Sequence, residues 1–117
     1  MSKLLDTIHE LNNLVVHGKA MEAFEKYYDD HVIMQENEAP PTYGKDANRK
    51  REQEFYENII EFRSAEALKV TSGKNITIVE WKYDYTHKEW GIRDYRQVSI
   101  QEWENGKIIK EKFYYNS

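Results

Sequence analysis

A chain of 117 residues is long enough to bury one core and too short for two, so a single domain over residues 1–117 is expected. Its 17 basic and 21 acidic residues leave a formal charge of -4, which excludes the electropositive face that phosphate neutralisation requires, and nucleic acid is not an expected partner. Cysteine is absent, which excludes disulfides, thiolate zinc sites and cysteine nucleophiles together.

The chain opens Met1-Ser2-Lys3-Leu4-Leu5-Asp6, where charge interrupts the apolar residues before they resemble a signal sequence. No apolar run approaches the roughly 20 residues needed to span a bilayer, so no membrane partner is expected and a cytoplasmic location is. Leu4, Leu5, Ile8, Leu11 and Val15 recur at helical spacing, with Gly18 where a C-terminal cap belongs. Ala20, Ala23, Phe24 and Tyr27 define a second helix that ends at Asp29-Asp30, before a β-prone run from Val32 to Gln35. Pro40 and Pro41 enforce an extended loop, and Gly44 with a cap at Asp46 opens a third helix towards Phe62, its apolar stripe being Phe55, Ile59 and Phe62.

After Ser64 the chain reads as antiparallel sheet, in runs near 67–72, 76–86, 91–104 and 108–115. Gly73 separates the first two runs, and Asn105-Gly106 is a hairpin signal because both residues tolerate positive φ. Opposite charges favour facing positions, so Thr86 is paired with Trp90. That register sets Glu80 opposite Arg96 and Lys82 opposite Asp94 on one face, and Trp81 opposite Tyr95 and Val79 opposite Gln97 on the other. An exposed ion pair contributes about 0–1 kcal/mol, whereas burying a large apolar side chain contributes about 1.5–3 kcal/mol. The aromatic face should therefore turn inwards, carrying Trp81, Tyr83, Tyr95 and Gln97. A two-residue Asn-Gly turn alone would place Phe113 and Tyr115 on the ionic side; a bulge would bring them inside.

The order helix, helix, strand, proline loop, helix and four antiparallel strands resembles that of the SnoaL-like proteins of the nuclear transport factor 2-like superfamily. The segments carrying the resemblance are Tyr27-Tyr28-Asp29-Asp30-His31-Val32-Ile33-Met34, the start of the third helix at Gly44-Lys45-Asp46-Ala47, and Trp103-Glu104-Asn105-Gly106-Lys107-Ile108 through Phe113-Tyr114-Tyr115. Met34-Gln35-Glu36-Asn37-Glu38-Ala39-Pro40-Pro41-Thr42 looks like a distinct branch. The resemblance implies a cone-shaped, cystatin-like α+β fold, with three helices packed on a strongly curved, mostly antiparallel sheet. It also implies a pocket at the open end and a homodimer through the outer face of the sheet, where Val98 and Ile100 share parity with the ions. A monomer in sedimentation at micromolar concentration would remove the dimer. One activity is not implied, since this fold carries enzymes and binding modules alike.

Ketosteroid isomerase, a relative in that superfamily, uses a carboxylate base with a Tyr and a protonated Asp at the oxyanion. Counting along this chain puts those roles on Gln35, Leu11 and Ser99, none of which can perform them. Strand alternation is expected to send Glu36, beside the base position, to the other face. SnoaL-type polyketide cyclases use a His and an Asp, and Tyr85-Thr86-His87 is similar to their His-bearing element. The next strand offers Gln97, Ser99 and Gln101 where the Asp would stand, and His87 is expected beside a turn. His9, His17, His31 and His87 show no metal-ligand spacing, and the acidic group Asp29, Asp30, Glu36 and Glu38 reads as a solvated loop, so neither metal nor cofactor is expected.

Nine Tyr and three Trp, with inward Gln and Ser residues, point to an aromatic cavity containing polar groups. The expected function is binding of a small molecule by Gln35, Trp81, Tyr83, Tyr95, Gln97, Ser99, Phe113 and Tyr115. The alternatives are an isomerase, cyclase or hydratase acting on a small, partly apolar substrate through a Tyr hydroxyl, His87 or Glu36, and a non-catalytic dimeric interaction module. A cavity holding a buried carboxylate or His with a shifted pKa would favour the enzyme.

Overall fold

Apolar residues at helical spacing build α1 (Lys3–Val16) and α2 (Ala20–Tyr27), whose Ile8, Leu11, Ala23 and Phe24 are all buried in one core. Between them Gly18 takes φ 77°, a left-handed conformation open to a residue without Cβ. The computed structural model describes residues 3–116; Met1, Ser2 and Ser117 of the expected 1–117 domain lie outside the described residues. Among the described residues no helix is long and apolar enough to cross a membrane.

The chain continues as β1 (Tyr28–Glu36), β2 (Thr42–Tyr43), α3 (Lys45–Glu57), β3 (Ile59–Gly73), β4 (Ile76–His87), β5 (Gly91–Glu104) and β6 (Lys107–Tyr115). The strands make one sheet in the order β2-β1-β6-β5-β4-β3, parallel only where β1 meets β6. Register shifts in β1, β3 and β6 break the regular ladder, each adding local bend and twist. The outcome is the expected α+β fold of three helices on a mostly antiparallel sheet.

Four details correct the sequence reading. The third helix stops at Glu57, because Asn58 caps it through its backbone and its side-chain amide, both donating to Glu54 O, and the β-branched pair Ile59-Ile60 then starts β3. Ile59 and Phe62 are strand residues, and only Phe55 of the expected stripe is helical. The N-cap is Gly44 at φ 92°, while Asp46 lies in the first turn and pairs with Arg49 at 2.6 Å. β1 begins at Tyr28, directly after α2.

The fourth correction is the β4–β5 register. Trp81 stands opposite Gln97, Tyr83 opposite Tyr95 and Lys82 opposite Arg96, two residues from the expected pairing. An even displacement leaves each side chain on its expected face. The ions then meet diagonally, Lys82 with Asp94 at 2.5 Å and Arg96 with Glu80 at 3.5 Å. Gly91, opposite His87 at φ 75°, sets the register by supplying the positive φ that closes a three-residue loop. In the last hairpin Glu104 faces Lys107, but Ile109 is then skipped and Glu102 faces Lys110. That bulge puts Phe113 opposite Ser99 and Tyr115 opposite Gln97, on the inward face.

A buried chain of hydrogen bonds ties four strands together. Trp103 Nε1 donates to Thr77 Oγ1 at 2.8 Å, Thr77 donates to Gln101 Oε1 at 2.7 Å, Gln101 Nε2 donates to Glu111 Oε2 at 2.7 Å, and the Tyr28 hydroxyl donates to Glu111 Oε1. Removing the middle link leaves buried partners unpaired. Thr77→Val, which keeps the shape, is expected to cost about 1–3 kcal/mol in urea unfolding. A loss under about 0.5 kcal/mol, the size of an ordinary surface substitution, would contradict it.

Candidate active site

Because odd positions of β4 and β5 share one face, Tyr83, Tyr85, His87, Arg93, Tyr95 and Gln97 line a single cavity of about 740 Å³. Phe113 and Tyr115 of β6, Met34 to Glu36 of β1, and Arg51, Glu52, Phe55 and Tyr56 of α3 complete its wall. A smaller cavity of about 70 Å³ lies under α1 and α2, and Glu52, Tyr56, Tyr83 and Phe113 line both. α3 is held over this hollow by Asn48, which is 2% exposed and whose amide donates to the carbonyls of Val32, Thr42 and Gly44.

The structure divides the expected ligand residues between the two spaces. Gln35, Tyr83, Tyr95, Gln97, Phe113 and Tyr115 border the larger cavity, whereas Trp81 and Ser99 are buried and border only the smaller one. Gln97 Nε2 donates to Ser99 Oγ at 3.1 Å, and the Tyr85 and Tyr95 hydroxyls meet at 2.8 Å. In β1 the expected alternation is reversed. Val32 and Met34 take the core face, so period two carries Glu36 with them, and Gln35 instead donates to Ala39 O at 2.8 Å. Glu36 accepts from Tyr115 Oη at 2.5 Å and from Arg51 Nη2 at 2.7 Å, an arrangement that occupies both its oxygens.

His87 is buried, 3% exposed, rather than solvated at a turn. Its ring stacks on Trp90 at 3.8 Å and lies 5.9 Å from Phe55. The Glu89 N–H donates to Nδ1 at 3.2 Å, which places the ring proton on Nε2, a buried atom without a partner. In that tautomer His87 offers a donor and no free base.

The acids that matter were missed by sequence reasoning. Glu111, 3% exposed, is pushed up to about 7 by burial, against the lowering effect of the Tyr28 and Gln101 hydrogen bonds. Glu52 is pushed up to about 8, first by burial and then by the negative charges of Glu111 and Glu36, with Arg51 opposing. Its carboxyl has no hydrogen-bond partner among the described residues, and Glu52 lines both cavities. Burial likewise raises the Tyr28, Tyr56 and Tyr83 hydroxyls, which stay protonated donors at neutral pH. A signal did exist for both acids. Glu52 shares the helical stripe of Asn48, Phe55 and Tyr56, and Glu111 shares strand parity with Phe113 and Tyr115. Among the described residues no group of three His, Asp or Glu gathers to hold a metal ion.

A cone of helices and sheet around an aromatic pocket with internal acids defines the class, and sequence comparison places the chain within it. The chain belongs to the SnoaL-like domain family, whose match spans residues 2–115. A provisionally named SnoaL-like polyketide cyclase (carbohydrate phosphatase) from Mesorhizobium loti is similar at 28% identity, covering 97% of this chain and 100% of that one, with TM-score 0.80. An NTF2-like protein of unknown function from Burkholderia pseudomallei shares the fold at 14% identity, covering 99% and 92%, with TM-score 0.83. So does a provisionally named isomerase from Bacillus subtilis at 22% identity, covering 95% and 84%, with TM-score 0.73. No curated protein matches the chain.

Carboxyls that ionise later in the folded state than in the unfolded chain bind more protons when folded, so they lower stability as pH rises from about 4.5 towards about 8. Unfolding free energy from urea titrations is expected to fall across that window, and Glu52→Gln, which cannot ionise, to flatten the decline. An unchanged slope in the variant would contradict the placement of Glu52.

Proposed function

We propose that this protein is an enzyme of the isomerase, cyclase or hydratase type, binding a small, partly apolar molecule in the larger cavity and moving a proton to or from it with Glu52. One observation carries the reading: a carboxyl without a protein hydrogen-bond partner among the described residues stands where the two cavities meet. A general acid or base works best with a pKa near the working pH, and Glu52 at about 8 meets that condition. Glu36 is engaged by Arg51 and Tyr115, and His87 has its basic nitrogen occupied, so neither competes for the role. The Tyr56 and Tyr83 hydroxyls beside Glu52 supply donors for an oxygen that gains charge.

The reaction class that fits is proton abstraction beside a carbonyl by the ionised form of Glu52, a population that grows as pH approaches about 8, with return of the proton elsewhere on the substrate. The aromatic walls would hold the apolar body and exclude water, while Gln97 fixes a polar substituent. A homodimer through the outer face, where Ile78 stands opposite Ile100 and Ile92 is exposed, belongs to the same proposal.

The mutual hydrogen bond of Gln97 and Ser99 favours a second reading, plain binding through neutral groups. Deuterium exchange into cyclohexanone, 2-tetralone and cyclopentenone, read by NMR, separates the two. Wild type is expected to accelerate exchange into at least one ketone, and Glu52→Gln to lose about 100-fold to 10,000-fold of that rate. Binding without exchange by wild type, or full exchange by Glu52→Gln, would reject the enzyme reading.

A further inference from the structure

The five arginines of this chain are Arg49, Arg51, Arg63, Arg93 and Arg96. Four hold a carboxylate: Arg49 pairs with Glu25, Arg51 with Glu36, Arg63 with Asp84 and Arg96 with Glu80. Arg93 has no carboxylate partner among the described residues, although acids outnumber bases. It lines the larger cavity, on the same face of β5 as Tyr95 and Gln97. Its guanidinium carbon lies 4.7 Å from the Tyr95 ring centroid, Nη2 donates to Asn116 O at 3.3 Å, and Nε is buried without a partner.

A second orphan donor lies close by. Arg93 faces Tyr85 across the β4–β5 ladder, so His87, two residues further along β4, is its diagonal neighbour on the same face, about 7–8 Å away by sheet geometry. His87 Nε2 is also buried and unpartnered, and Phe55 and Trp90 fix the plane of its ring. Two buried donors without acceptors, one cationic, on one cavity wall are costly unless something enters to meet them.

We propose that Arg93 and His87 form a carboxylate-binding subsite at the β4–β5 hairpin end of the larger cavity, so that the natural ligand is a small organic acid. The subsite rests on the reading of this cavity as the substrate site and adds the charge class. A monoanion fits best: Arg51 is already neutralised by Glu36, leaving one uncompensated cation, and Glu54 and Glu89 at the cavity edge disfavour a doubly charged phosphate. With the carboxylate on Arg93, the apolar body of the ligand would lie along Phe55, Tyr95 and Tyr115, with its far end directed to Glu52.

Calorimetric titration with 3-phenylpropanoate and with 3-phenylpropanamide, equal in shape and different in charge, tests this. Wild type is expected to bind the carboxylate roughly ten- to a hundredfold more tightly than the amide, the size of one charge-assisted hydrogen bond. Arg93→Gln should erase the preference, Arg93→Lys should keep part of it, and Glu52→Gln should leave it intact. Equal binding of both probes by wild type, no carboxylate binding at millimolar concentration, or a full preference in Arg93→Gln would overturn the subsite. The wild-type comparison decides even if a variant fails to fold. In wild type, absence of the preference with ketone exchange intact rejects the subsite alone, whereas the preference without exchange rejects only the role of Glu52.

Discussion

Glu52 and Glu111 line the same small cavity, and burial penalises the charge of both. In so poorly solvated a space two adjacent negative charges repel strongly, so the acid with better hydrogen bonds ionises first. Glu111 has them, from Tyr28 and Gln101, at the end of a chain of donors that runs back through Thr77 to Trp103. Glu52 has none among the described residues, so it keeps its proton longer. The strand network thus does two jobs: it locks β1, β4, β5 and β6 together, and it fixes which acid remains available to a ligand.

The same separation of tasks runs through the rest of the cavity. Glu36 is held by Arg51 and Tyr115, which binds α3 to β1 and β6 and removes that carboxylate from chemistry. Asn48 spends its amide on three backbone carbonyls and keeps α3 seated over the sheet. Among the described residues the Glu52 carboxyl, His87 Nε2 and Arg93 Nε lack protein partners and border the larger cavity, whereas the Asn12 amide, also buried without a partner, belongs to α1 and does not line it. An acid near neutrality stands in one region and donors at the hairpin end, with aromatic rings between them. That distribution suits a small molecule carrying an anionic end, an apolar body and an exchangeable proton.

Much of this was legible in the sequence because strand alternation has a period of two and tolerates even errors. Trp81, Tyr83, Tyr95 and Gln97 face inwards although the β4–β5 pairing differs from the expected one by two residues, since Gly91 and not the charge pattern closes the loop. Odd shifts are harder to foresee. The bulge at Ile109 brings Phe113 and Tyr115 inside, and nothing in Lys107-Ile108-Ile109-Lys110 announces which residue will be skipped. The acids were hidden for another reason. Glu52 lies in the strongly polar run Lys45-Asp46-Ala47-Asn48-Arg49-Lys50-Arg51-Glu52-Gln53-Glu54, which reads as a solvated helix, and only the stripe shared with Asn48 and Phe55 marks its inward face. Counting from the positions of ketosteroid isomerase pointed to Gln35, whereas Glu52, the cavity carboxyl raised to about 8, lies on α3.

The claim on which the whole account rests is that Glu52 remains protonated near neutral pH inside an otherwise stable fold. Carbon-13 NMR titration of the glutamate side-chain carboxyls, with Glu52 assigned by comparison with Glu52→Gln, measures that state directly. The account predicts a Glu52 carboxyl that is neutral at pH 6 and ionises with a midpoint near 8, moving downwards in Glu111→Gln as the neighbouring charge is removed. A midpoint in the ordinary range of about 4 to 5 would contradict it.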